Sequence, residues 1–190
     1  MANVATSTWV ALLRGINVGG RHRLPMSALV EIMKGQGLTD IKTYIQSGNA
    51  VFDGPARASS SSGADLADAI ADGIADAHGF KPRVLILSAA QLASAIAANP
   101  FPEAEGEPKQ LHLYFLAAAP TAPDLASLEQ LKTPTERFHC TDQVFYLHVP
   151  DGLGRSKLAA AVERRLGVPA TARNWRTVKK LEELVLARAE

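Results

Sequence analysis

The sequence predicts an α+β protein made of two halves that share one order of elements. Three observations carry this. Apolar runs too short for helices alternate with stretches of helical periodicity. Hydrophobic residues make up 47% of the 190 positions, enough for a substantial core. The order strand, helix, strand, strand, helix, strand can be read twice along the chain, although no sequence repeat accompanies it.

The first half opens on Trp9 to Leu13, a continuous apolar run of the kind covered on both faces of a sheet. Gly15, Gly19 and Gly20 break it. Pro25 suits the first turn of a helix, and Met26, Leu29, Val30 and Met33 follow at helical spacing until Gly35 and Gly37 close it. Ile41 to Ile45 and Ala50 to Phe52 read as two short strands joined by a tight turn at Gln46-Ser47-Gly48-Asn49. Asp53 to Gly63, with four serines at 59–62, reads as a mobile loop. Leu66, Ile70 and Ile74 mark a helix over Asp65 to Ala77, whose aspartates at 65, 68, 72 and 76 line a solvated face. Arg83 to Leu87 is the fourth strand. Ser88 caps a connecting helix that runs to Ala98 and stops at Asn99-Pro100.

The polar stretch Glu103 to Lys109 predicts the boundary between a half over 1–102 and a half over 103–190. The second half begins with a strand at Leu111 to Leu116 and a helix at Pro123 to Leu131. Strands follow at Phe138 to Cys140 and Val144 to Val149, then a helix at Arg155 to Leu166 and an extended piece near Ala170. A last helix spans Asn174 to Ala187, with Trp175, Val178, Leu181 and Val185 on one side. Both halves thus follow the ferredoxin-like order, in tandem, with additional connecting and C-terminal helices.

The net charge of +1 argues against a partner attracted by the whole surface. Its distribution is uneven: residues 1–54 carry +2, 55–154 carry −6 and 155–190 carry +5. If the basic ends meet, they form a positive patch. One cysteine, Cys140, permits no internal disulfide and fits a reducing, cytoplasmic setting. No run is long enough for a membrane span, and the first apolar run is too short for a signal peptide.

Three stretches carry possible chemistry. Arg14 and Asn17 sit at the exit of the first strand, near Ser47 and Asn49 of the hairpin. Arg155, Ser156 and Lys157 follow two glycines at a strand-to-helix junction, where free backbone N–H groups attract anions. The Walker A spacing is absent. Arg173 can hold a carboxylate or phosphate with two bonds, and Asn174 is a natural cap for the last helix. Read singly, Asn17, Ser47 and Asn49 are better explained by turns and Asn174 by a helix cap, while Ser156 is explained equally by a helix start. Read together, and if the ends of the chain converge, they would make an anion-binding cluster in a cleft between the halves. The five histidines lack zinc-ligand spacing, so no metal site is expected. There is no GxSxG elbow, no identifiable general base and no indicated cofactor, so no reaction is assigned. The first half lacks RNP1 and the paired aromatics that stack bases, which disfavours nucleic acid.

These stretches together resemble a known family. ALLRGINVGG (11–20), LPMSAL (24–29), TYIQSGNAVF (43–52), NPF (99–101), GLGRSKL (152–158) and TARNWRTVKKL (171–181) are similar, in this order, to the DUF1697 family of uncharacterised bacterial proteins. The resemblance runs from about residue 8 to residue 185. It implies two ferredoxin-like halves and no particular activity. Arg14, Asn17, Ser47, Asn49, Arg155, Ser156, Lys157, Arg173 and Asn174 all fall on matching motif positions. Ala50 and Ala172 depart from it, replacing a larger aliphatic residue and a threonine-like one.

The expectation is therefore a small phosphate-bearing ligand, such as a nucleotide, bound by these residues. The alternatives are a nucleic-acid-binding protein using the basic ends, and a structural or interaction protein whose polar motifs only lock turns and caps. Oligomeric state is not legible.

Overall fold

In a computed structural model, residues 6–56 and 61–188 are described. They form six α-helices and two four-stranded antiparallel sheets, an α+β arrangement. The chain divides into two compact units, Met1–Ala93 with Lys180–Glu190, and Ser94–Lys179.

Unit 1 contains β1 (Thr6–Arg14), α1 (Met26–Gly35), β2 (Thr39–Tyr44), β3 (Asn49–Pro55), α2 (Ser61–His78) and β4 (Arg83–Ser88). Its strand order is β2-β3-β1-β4. The apolar run of β1 makes it a central strand, with Val10, Leu12 and Leu13 fully buried. Trp9, Ala11, Leu13, Phe52 and Ile86 pack against Leu29, Met33, Ile70 and Ile74 of the two helices. Removing a ring such as that of Phe52 from this packing would cost about 3–5 kcal/mol.

Two expectations change here. Ile45 belongs to the turn rather than to β2, because its φ of 50° is left-handed. The region read as a loop over 53–63 is shorter: β3 runs to Pro55 and α2 starts at Ser61, while residues 57–60 lie outside those described. The four serines suggested a loop by composition, but two of them open the helix.

The C-terminal residues of unit 1 lie on its sheet. The Arg188 guanidinium donates to the Val51 carbonyl at 3.1 Å and to the Asp40 carbonyl. It also pairs with the carboxylates of Asp40 (3.1 Å) and Asp53 (3.7 Å). Asp40 sits at a register shift of β2 with φ 43°, so one residue presents both its carbonyl and its carboxylate to the arginine.

In unit 2, α3 (Ala89–Ala97) leads in from unit 1. Its start is a reciprocal cap: Gln91 N–H donates to Ser88 Oγ (3.1 Å), and Ser88 N–H donates to Gln91 Oε1 (2.8 Å). A 3₁₀ turn at Pro102–Gly106 follows within the stretch read as loop. Then come β5 (Leu111–Leu116), α4 (Leu125–Leu131), β6 (Arg137–Cys140), β7 (Val144–His148), α5 (Lys157–Leu166) and β8 (Ala170–Asn174). The strand order is β6-β7-β5-β8. Tyr114, Phe145 and Leu147 pack on Leu128, Leu158 and Val162. α6 (Trp175–Leu186) is shared: its residues to Lys179 belong to unit 2 and the rest to unit 1. Arg155 lies in a 3₁₀ turn, Leu153–Arg155, and not in α5, because Ser156 caps that helix at Ala159 N–H (2.9 Å).

Among the described residues, no helix is long and apolar enough to cross a membrane.

Candidate functional site

At one end of the unit 1 sheet, two loops are tied into one body. β1 ends at Arg14, which is exposed and lies directly opposite Arg83 of β4. Gly15 (φ 79°) turns the chain out of the sheet, and residues 17–22 fold into a miniature hairpin. Asn17 N–H donates to the His22 carbonyl at 3.0 Å, and Arg21 N–H to the Val18 carbonyl at 3.1 Å. The two residues at the tip, Gly19 (φ 58°) and Gly20 (φ 74°), have the paired positive φ of a type I′ turn. A Gly-Gly pair adopts it without a steric penalty.

The Asn17 side chain holds the base of this hairpin. Its Nδ2 donates to the carbonyls of Leu24 (2.9 Å) and Gln46 (2.7 Å). Its Oδ1 accepts from Leu24 N–H at 2.8 Å. The bond to Gln46 joins the hairpin to the β2–β3 turn. His22 adds a second anchor: its ring stacks on Phe80, with centroids 4.7 Å apart. Its Nδ1 lies 2.9 Å from the Gly15 carbonyl, which can only accept, so Nδ1 carries a proton.

The β2–β3 turn is equally fixed. Leu13 N–H donates to the Gly48 carbonyl at 2.7 Å. Asn49 is fully buried, and its Nδ2 donates to the Tyr44 carbonyl and to Ser47 Oγ, both at 3.0 Å. Gly48 has φ 79°, and a Cβ there would lie 2.6 Å from Leu13 Cβ and 2.7 Å from Ile16 Cδ1. Only glycine fits. Ile45, a β-branched residue held in the left-handed region, is 50% exposed. Such a residue persists only where its surroundings fix it. Among the exposed polar side chains here are Arg14, Arg21, His22, Arg23, Gln46 and Ser47. Among the described residues, neither Arg21 nor Arg23 takes part in an ion pair.

The C-terminal motifs lie in unit 2. Register places Asn174 of β8 opposite His112, and Leu111 opposite His148, so the 149–156 loop and Asn174 share one end of that sheet. Arg155 and Lys157 are exposed there. The Ser156 hydroxyl is buried and accepts from Ala159 N–H. Asn174 Oδ1 accepts from Thr177 N–H at 3.0 Å and starts α6. Arg173 is half-buried, and its Nη1 donates to the Ala172 carbonyl at 2.8 Å. Burial pulls its guanidinium down to about 10, so it stays cationic at neutral pH. The structure thus gathers Arg14, Asn17, Ser47 and Asn49 at one end of unit 1. It gathers Arg155, Ser156, Lys157, Arg173 and Asn174 in unit 2.

Comparison with known proteins bears on the first group. The family model described as "Protein of unknown function (DUF1697)" matches residues 6–146, which spans all of the unit 1 loop pair. The chain belongs to the DUF1697 family. Among solved structures, the conserved bacterial protein SP0830 from Streptococcus pneumoniae is similar, with a TM-score of 0.70 and 21% identity. That likeness covers 95% of this chain and 99% of the other, and it extends to the fold alone. No curated protein matches the chain.

In the sequence of this DUF1697 protein, Arg21 and Arg23 draw no functional reading and His22 is weighed only as a metal ligand, although the run directly follows the Gly-Gly pair. A cluster in unit 2 is likewise not legible there. Arg137 Nη2 contacts Glu103 Oε1 (2.5 Å) and His148 Nδ1 (3.2 Å), and the guanidinium lies 4.9 Å above the Phe101 ring. Hydrogen bonding to its own backbone N–H and to Arg137 holds the Glu103 carboxyl below its ordinary range. Burial, then the charge of Arg137, pushes His148 down. The partners join β6 and β7 by their register, which no sequence spacing reveals. Among the described residues, no group of three or more His, Cys, Asp or Glu could hold a metal ion.

Proposed function

We propose that this protein binds a phosphate-bearing ligand at the loop pair of unit 1. Arg14, Arg21 and Arg23 supply charge, and Ser47 with the glycine amides supplies hydrogen bonds. Asn17 and Asn49 fix the loops that carry them. The observation behind this reading is the fixed left-handed backbone at Asn17, His22 and Ile45, beside exposed arginines. Strain held at one place by many bonds is a mark of a site kept ready for a partner. Arg155, Lys157 and Arg173 are further cationic residues, in unit 2. Each unit is read as ferredoxin-like, on the strand orders β2-β3-β1-β4 and β6-β7-β5-β8. The single cysteine supports a cytoplasmic setting.

The test is thermal unfolding with inorganic pyrophosphate. A ligand at 100 times its Kd stabilises by about 2.7 kcal/mol. Pyrophosphate should raise the Tm of the wild type but not that of Arg14→Gln/Arg21→Gln. An equal rise in both overturns the site.

A structural role is the second reading. It is favoured by the full use of the Asn17 side chain in bonds that join two loops. On that reading the arginine variants lose stability in the absence of any ligand.

A further inference from the structure

The basic loop of unit 1 is exposed from residue 18 to residue 23. Val18 is 69% exposed, and Gly19, Gly20, Arg21, His22 and Arg23 are all exposed. A polymer that carries many phosphates along a groove can contact the exposed hairpin and the arginines beside it at once. Resting on the anion-binding reading above, we propose that the hairpin over 17–22 enters the major groove of a B-form DNA duplex. Arg14, Arg21 and Arg23 then lie on the phosphates.

The major groove admits a two-stranded ribbon, and this hairpin is the shortest form of one. Guanidinium groups match phosphate oxygens with two bonds each. No acidic residue occurs among the first 30 positions, so none on that stretch opposes the contact. Val18 pairs with Arg21 across the hairpin, which sets a small apolar contact beside a charged one at the tip. The bonds of Asn17 and the stacking of His22 on Phe80 fix the backbone in advance, so little ordering entropy is lost on binding. A membrane surface fits less well, because the tip offers one valine and no Trp, Phe or Leu to insert. The missing RNP1 pattern and stacking aromatics count against single strands, whereas contact with a duplex backbone needs neither.

The experiment is fluorescence anisotropy of the full chain with a labelled 20-bp DNA duplex, titrated between 50 and 200 mM salt. Three phosphate contacts predict an affinity that falls about 40-fold over that range. Arg21→Gln/Arg23→Gln, on an exposed loop with an unchanged Tm, should leave only about a 4-fold fall. Val18→Ser should weaken binding with no change in salt dependence. Pyrophosphate binding without duplex binding overturns this inference and leaves the anion-binding reading standing. Loss of both overturns both. Capture by phosphatidylserine vesicles without duplex binding, or equal salt dependence in wild type and double variant, also overturns it.

Discussion

The two units share a strand order but differ in how their loops are held. Among the described residues, all four non-glycine positions with positive φ lie in unit 1: Asn17, His22, Asp40 and Ile45. Unit 2 has positive φ only at Gly152 and Gly167. Its helix starts are ordinary caps, with Asp124 accepting from Ser127 N–H (3.0 Å), Ser156 from Ala159 and Asn174 from Thr177. A cap satisfies a helix end and little more. The bonds at 13–24 and 45–49 instead hold two loops in unfavourable backbone, with cationic side chains left exposed. The same fold plan thus yields one end built for regularity and one held under strain.

That contrast can be broken most sharply at Gly48. Gly48→Val should destabilise unit 1 by at least about 3 kcal/mol, through both its left-handed φ and the clash with Leu13 and Ile16. Urea unfolding followed at Trp9 would read it. Next come the two asparagines, each of which accepts a backbone N–H through Oδ1. Asn17→Ala removes three bonds and should cost about 2–3 kcal/mol, whereas Asn174→Ala removes one cap and should cost about 1 kcal/mol. Equal losses would erase the distinction between clasp and cap. Ile45→Gly should go the other way and stabilise by about 1 kcal/mol, because it relieves a left-handed β-branched residue.

The smallest effect is a pH dependence in unit 2. His112 is buried, and burial pushes its pKa below 6.5. The unfolded chain then takes up a proton before the folded one does. Stability is complete above pH 6.5 and declines as the pH falls from there toward the lowered value. The Tm of the wild type should drop between pH 7 and 5 more steeply than that of His112→Gln.

Much of this was legible in the sequence. The apolar run of β1, the helical spacing of α1 and the cap at Ser88 follow from local rules, and the structure has them. The glycines at 15, 19, 20 and 48 announced turns. What lay hidden depends on partners distant in the chain. Ile45 reads as a strand residue because nothing local reveals that its turn is set by Asn17, 28 positions earlier. Asn17 reads as a turn residue for the same reason. Arg188 carries no sequence signal, and only the register shift at Asp40 gives it a place. The Arg137–His148 contact likewise needs the β6–β7 register.

Whether the anion is taken at the unit 1 loop pair is read by backbone amide NMR during a pyrophosphate titration. Saturable shifts are expected at Gly15, Gly19, Gly20, Ser47 and Gly48, with small changes at Gly152 to Lys157. Shifts centred on Gly152 to Lys157 and Arg173, with 15–23 and 45–49 unmoved, would contradict that expectation.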